Sequence, residues 1–479
     1  MHGRSLGAGV AVAIALMAGA AIAMFARLPK APVKRLLTNI ERELEDAPKD
    51  PHLLYLAGRT HALAYAQGEN AQARARPARV SSGTAKLPTY GSYEDDLLRF
   101  EGKADDARLG HLRDGIRLLR RAAEFARAPE DPHERDERPL LHLGLAWLLD
   151  DGSRFAPQLG HPLDPAPKSD LDESQRTRIG ALVMRLAAEK KSDSDRAFEA
   201  LRADLGRAWP LLVVHRESDD ATIRERVARL LTRWWQDQAL EAYRAAYDLA
   251  KDGDVRKGVS NLHGTFTISR EAGKAILRLL DGCAQTEATE AERKRIEDHL
   301  RALDGRGFAI TPVIFPVARA VPLADLLPAG RTARFDLVGD GISRLWPWPS
   351  ADAAFLVWLP SPDAGVPSGR RLFGSRTWWI FWRDGYEPLS MLDDNADGRL
   401  AREELDGIGV WRDLDGDGVS SPDEVTTAAD FGVRWIAVVA TRTEDGVPAT
   451  DAGIGLFDGS TRPTYDWTPT SLPEREPRR

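Results

Sequence analysis

The sequence predicts a multidomain protein of α plus α+β class: an N-terminal apolar helix, an irregular helical repeat region, and a small C-terminal α+β domain with two tandem calcium loops. Three observations carry this reading. Residues 6–26 form an apolar run, residues 32–304 repeat apolar positions at helical spacing, and from residue 305 short apolar runs alternate with turns. Within the last part, residues 393–404 and 413–424 each place oxygen-bearing residues at the spacing a calcium ion requires.

The first element, residues 1–31, is a signal peptide or a membrane anchor. Leu6 to Ala26 are 21 uncharged residues behind Arg4, long enough for either role, and Ala21-Ile22-Ala23 resembles a small-residue cleavage site. Arg27, Lys30, Lys34 and Arg35 follow the run, where the positive-inside rule favours the cytoplasmic side. The single cysteine, Cys283, excludes an internal disulfide and a lipid-modified cysteine after the run. The expectation is an exported protein, secreted or held in the cell envelope, touching membrane only through this segment if it is uncleaved.

Residues 32–304 read as helices. Leu112, Ile116, Leu119, Ala123 and Ala126 share one face, as do Ile223, Val227, Leu230 and Trp234. Two segments, 68–96 and 150–174, are rich in Gly, Pro and small residues and predict exposed loops. Leu143-Gly144 with Trp147 and Gly152, then Gly115, Leu119 and Ala122, then Ala239, Tyr243 and Ala246, resemble the small-large-small pattern of tetratricopeptide helices, although the 34-residue period is not kept. The resemblance implies a surface for a protein partner.

Residues 305–479 change texture. Apolar runs at 310–318 and 355–359 predict strands, and 434–441 with 453–457 predict a hairpin across 443–451. Nine of the thirteen tryptophans lie here, which suits a dense core for a small domain.

The two loops carry the chemistry. Calcium takes six to eight oxygens, so a twelve-residue loop offers acids or amides at positions 1, 3 and 5, a backbone carbonyl at 7 and a two-oxygen carboxylate at 12. The first loop supplies Asp393, Asn395, Asp397, the Arg399 carbonyl and Glu404, with water near Ala401; the second supplies Asp413, Asp415, Asp417, the Val419 carbonyl, Ser421 and Glu424. Gly398 and Gly418 occupy position 6, where the chain turns through positive φ. Two calcium ions are expected. Between residues 385 and 432 there are thirteen acidic and three basic residues, a net −10 against −7 for the whole chain. That concentration repels the compact state unless cations neutralise it. Only residues 405–412 separate the loops, room for one short shared helix or helical turn. Leu400 fills the apolar eighth position and Ser420 does not, so the loops are not expected to pair as in a calmodulin-type lobe.

From Ala333 to about Trp467 the chain resembles the EF-hand-like calcium-binding modules found beside RTX-type repeats in bacterial secreted proteins. The residues carrying the resemblance are Phe335-Asp336-Leu337-Val338-Gly339-Asp340-Gly341, Gly369 to Gly374, the first loop, and Val410-Trp411-Arg412-Asp413 leading into the second. It implies a further calcium loop upstream of Leu372, but Leu359, Ser361, Asp363 and Arg371 stand at its places, and the expectation is a site that binds no ion.

Function classes follow. The slight acidity argues against a nucleic-acid partner. No His-Glu-x-x-His, Gly-x-Ser-x-Gly or phosphate-loop motif occurs, so the leading expectation is a non-enzymatic calcium-binding protein. Two alternatives stay open. One is calcium-triggered self-processing at Asp50-Pro51, Asp131-Pro132 or Asp164-Pro165, which the resemblance suggests; the other is calcium-dependent glycan binding by the Trp-rich part.

Overall fold

The computed structural model describes residues 31–67, 105–130, 136–160, 171–256, 268–283, 285–303, 310–339 and 341–472. Ten longer helices come first: α1 (Val33–Asp46), α2 (Pro51–Gln67), α3 (Asp106–Phe125), α4 (Arg138–Gly152), α5 (Glu173–Arg185), α6 (Lys191–Ala203), α7 (Leu205–His215), α8 (Ala221–Arg256), α9 (Ile268–Leu280) and α10 (Glu287–Leu303). Their apolar stripes are buried as the spacing predicts, with Leu112, Ile116 and Leu119 of α3 and Ile223, Val227 and Leu230 of α8 all at or near zero exposure. Small residues do let helices approach closely. A Cβ on Gly115 would sit 3.2 Å from the Gly58 carbonyl oxygen and 2.7 Å from a Leu148 methyl.

The tetratricopeptide-like stack is nevertheless not the architecture. In such a stack each repeat touches only its neighbours. Here α8 runs unbroken for 36 residues and packs against α4, α7 and α9. The reason is local: no Gly or Pro interrupts Ala221 to Asp252, so Ala239, Tyr243 and Ala246 lie within one long helix instead of opening a new unit. The loop expected at 150–174 is likewise shortened, because Ser153–Phe155 and Ala156–Leu159 are helical turns with Phe155, Ala156 and Leu159 buried. The 68–96 segment lies outside the described residues.

The expected small α+β domain is instead dominated by strands. Its eleven strands are β1 (Val313–Pro316), β2 (Thr332–Phe335), β3 (Arg344–Pro347), β4 (Ala353–Trp358), β5 (Arg399–Ala401), β6 (Ile408–Trp411), β7 (Val425–Thr427), β8 (Val433–Ala437), β9 (Arg442–Glu444), β10 (Val447–Leu456) and β11 (Thr461–Asp466). Nine form one antiparallel sheet in the order β5-β8-β10-β11-β1-β4-β6-β7, with β9 on β10, while β2 and β3 form a separate hairpin. The segments 434–441 and 453–457 do pair, as β8 on β10 with Ile436 opposite Ile454, but not as the hairpin expected across 443–451, because β9 and the first half of β10 lie between them and pair with each other.

Strand β4 shows why its sequence is uniformly apolar. Ala354, Leu356 and Trp358 join a hydrophobic cluster that continues into the helices as far as Leu36 and Ile40 of α1. Phe355 and Val357 join a second cluster on the other face, with Trp346, Trp348, Trp411 and Trp467. Side chains alternate between faces along a strand, so a strand covered on both sides must be apolar throughout.

The N-terminal apolar helix expected from the sequence is not among the elements described. Residues 6–26 lie outside the described residues, and among those described no helix is long and apolar enough to cross a membrane. Arg35, expected as a membrane-flanking charge, instead sits on α1 and pairs with Asp394 at 2.9 Å.

Candidate metal centre

The second loop connects β6 to β7. Trp411 pairs with Val425 at its neck, and the Arg412 N–H donates to the Glu424 carbonyl at 2.8 Å. Asp413 begins the loop almost fully buried. Its Oδ1 accepts the Gly416 N–H at 2.7 Å and its Oδ2 the Gly418 N–H at 3.0 Å. Asp415 accepts the Asp417 N–H, and Asp417 accepts the Val419 N–H at 2.6 Å. Glu424 closes the ring, with Oε1 accepting from Leu414 and Oε2 from Ser421. Gly418 is required twice over: its φ is +76°, and a Cβ there would lie 2.5 Å from the Arg334 carbonyl oxygen.

The first loop repeats the scheme. Asp393 accepts the N–H groups of Asp397 and Gly398, Asn395 accepts that of Asp397, and Asp397 accepts that of Arg399. Glu404 receives Asp394 and Asn395 on Oε1 and Ala401 on Oε2. Ala396 and Gly398 hold positive φ to bring these groups round. Each loop thus has its first and twelfth carboxylates buried and pinned by backbone donors, so they are oriented before any ion arrives.

The loops differ in convergence. Carboxylate oxygens of Asp413, Asp415 and Glu424 lie within 4.8 Å of one another, the one such acidic triad among the described residues. In the first loop Asn395 replaces an acid at position 3, leaving fewer charges to gather. Burial raises the Asp413 pKa, bonds from Gly416, Gly418 and Trp348 oppose the rise, and the Glu424 charge adds to it. A carboxylate crowded in this way is relieved by a nearby cation. The donors are all oxygens, carboxylate, amide or carbonyl, a set suited to a hard divalent ion. The residues therefore fit calcium.

Neither loop is a helix-loop-helix unit. A four-residue helix, Glu387–Ser390, precedes the first; of the short helix or helical turn expected between the loops, only the end of a 3-10 turn at Arg402–Leu405 reaches past the first loop, and strand β6 takes most of the rest. The cause is the run Ile408-Gly409-Val410-Trp411, which is wholly buried between β4 and β7. Leu400 does not meet the second loop: β5 pairs with β8, placing Leu400 opposite Ile436. Ser420 is engaged elsewhere, its Oγ accepting the Val366 N–H at 2.7 Å.

Between Leu359 and Leu372 the upstream segment carries one acid, Asp363. Leu359 is buried, and Arg371 donates to the Gly365 carbonyl at 2.9 Å. A vestige lies earlier, where Asp336 accepts the N–H groups of Gly339 and Gly341 just as Asp413 accepts those of Gly416 and Gly418. Val338 stands where Asp415 stands in the second loop, so the turn survives with a ligand removed. Of the Asp-Pro bonds, Asp50-Pro51 opens α2, and Asp50 Oδ1 caps the N–H groups of His52 and Leu53; the other two lie outside the described residues.

Residues 325–465 match the family model of the SPM domain. The chain is similar to the iron-regulated protein FrpA of Neisseria meningitidis serogroup C, 33% identical over 107 residues, which is 21% of this chain and 10% of that protein. The chain thus spans about a tenth of that relative's length.

Sequence reading missed the residues that hold the loops from outside. On α1, Arg35, Asn39 and Arg42 occupy one face and grip the first loop. Asn39 donates to Asp394 Oδ1 at 2.8 Å and to the Met391 carbonyl at 3.0 Å, and Arg42 donates to the carbonyls of Asp393 and Asp394 at 2.8 and 2.6 Å. Arg35 adds the Leu392 and Glu404 carbonyls. In the second loop, Trp348 donates its indole N–H to Asp413 Oδ2 at 2.5 Å. Nothing in the spacing of these residues announces partners hundreds of positions away. Nearby, His52 of α2 is clamped between Glu137 and Glu387, with Arg383 on Glu137 at 2.7 Å.

Proposed function

We propose that this chain is an exported, non-enzymatic calcium-binding protein whose two loops stabilise the C-terminal sheet and the seating of α1 upon it. The observation that carries the reading is the shared hydrogen-bond scaffold of the two loops, with the first and twelfth carboxylates of each buried and aimed by backbone donors. When bound, calcium supplies positive charge that offsets the crowded carboxylates. The protein's own residues do the rest. Asp393, Asn395, Asp397, the Arg399 carbonyl and Glu404 form the first site, and Asp413, Asp415, Asp417, the Val419 carbonyl, Ser421 and Glu424 the second.

Because the ligands of each loop are brought together only in the fold, binding stabilises the native state by RT ln(1 + [L]/Kd), about 2.7 kcal/mol per site at 100 times Kd. Isothermal titration of the purified chain tests the proposal. Two calcium ions per chain are expected, with Glu404→Gln weakening one site and Glu424→Gln the other. Fewer than two ions, or no change in either variant, overturns it.

The Trp-based glycan alternative loses its platform. Of the nine C-terminal tryptophans, eight are buried and only Trp435 is partly exposed. Their role in this fold is core packing.

A further inference from the structure

Beside the first loop, β5, the 3-10 turn after it and the start of β8 enclose a cavity of about 680 Å³. Three arginines, Arg399, Arg402 and Arg434, line it and are exposed. Among the described residues none of the three guanidinium groups has a hydrogen-bonded or ion-paired acid. Arg399 lies over Trp435, its guanidinium carbon 4.3 Å from the ring centroid. Two acids also line the cavity. Asp397 is already engaged by the Arg399 N–H and the Asn395 amide, and Asp406 is exposed.

Two further features set this cavity apart from an ordinary charged surface. Arg402 has φ +54°, a left-handed conformation that a branched or long side chain resists and that accumulates at functional sites. Phe457, on the rim, is 70% exposed in a domain that buries nearly every other aromatic ring, and Leu405 and Ile408 give the cavity an apolar floor. The volume is that of a small-molecule site rather than an extended groove for a peptide.

We propose that this cavity binds a small carboxylate-bearing ligand with an apolar face, of the acidic-sugar class. Planar guanidinium forks match a carboxylate. The exposed Phe457 ring and the apolar floor match the C–H face of a sugar ring, which a bare inorganic anion lacks. The three arginines and Phe457 give no side chain to an ion, and Arg399 contributes to the first loop only through its carbonyl; of the lining side chains Asp397 alone is also a first-loop ligand.

The test is titration of the full chain, with and without calcium, using a galacturonic acid disaccharide, its neutral galactose counterpart and inorganic phosphate. The acidic disaccharide is expected to bind, with the neutral sugar and phosphate each weaker by about tenfold or more. Arg434→Ala is expected to cost about tenfold in affinity for the acidic sugar. Arg402→Gly separates binding from folding, since glycine accepts the left-handed conformation: its melting temperature should hold or rise while affinity falls. The proposal is overturned if the acidic disaccharide fails to bind, if the neutral sugar or phosphate binds equally well, or if both variants bind like the parent.

Discussion

Trp348→Phe tests whether the second loop is tuned from the hydrophobic core. Trp348 is 1% exposed, packed among Phe335, Phe355, Trp411 and Trp467, and its only polar atom donates to Asp413 Oδ2 at 2.5 Å. Phenylalanine keeps an aromatic ring in that cluster and deletes the donor. Asp413 would retain Gly416 and Gly418, at 2.7 and 3.0 Å, but lose the side-chain contact that fixes the carboxylate from the core side. A hydrogen bond to a charged group is worth about 1.5–3 kcal/mol. Loss of a partner behind a metal ligand typically weakens binding by about 10–100-fold, which is the same range in free energy. The assay is calcium titration in a Glu404→Gln background, so that the second site is read alone. Trp346→Phe is the control: Trp346 is equally buried, but its indole donates to the Phe335 carbonyl at 2.9 Å and touches no ligand. Trp346→Phe should lower stability without changing second-site affinity, whereas Trp348→Phe should lower both. A folded Trp348→Phe protein with parental affinity would refute the reasoning.

Three further outcomes are expected. Arg42→Ala removes two donors to the carbonyls of Asp393 and Asp394, so calcium affinity at the first loop should fall while the second is unchanged; hydrogen exchange should show α1 loosening with it. Calcium removal should open 385–432 to proteolysis and also expose α1, whereas α8 to α10 should keep their protection. His52 supplies a pH signature. Burial alone would depress its pKa, but hydrogen bonds to Glu137 and Glu387 carry it up to about 9 from 6.5. A group with a raised folded pKa contributes its full stability below the unfolded value and loses it as pH rises through the folded one. Stability should therefore decline between about pH 6.5 and 9, and His52→Gln should flatten that decline in urea melts; an unchanged slope would show that the clamp contributes nothing.

The calcium loops were legible because their chemistry is local. Twelve consecutive residues contain the ligands, the position-6 glycine and the closing glutamate, and the backbone hydrogen bonds that orient them span ten positions or fewer. Helical stripes in α3 and α8 were legible for a similar reason, since their period is short and their burial follows it. The strand at 408–411 was misread because four apolar residues carry no period that distinguishes strand from helix, and only pairing with β4 and β7 decided the matter. The resemblance of Ala239, Tyr243 and Ala246 to a repeat helix did not anticipate that they sit within the 36-residue α8, which the absence of a helix breaker keeps unbroken. What lay beyond reading was every contact made across the fold. Asn39 meets Asp394 across 355 positions, Trp348 meets Asp413 across 65, and the arginines around the cavity converge from β5, the turn after it and β8. Local sequence determined which oxygens a cation would meet. Tertiary packing alone decided what holds those oxygens in place, because that depends on which distant surfaces the hydrophobic clusters press together.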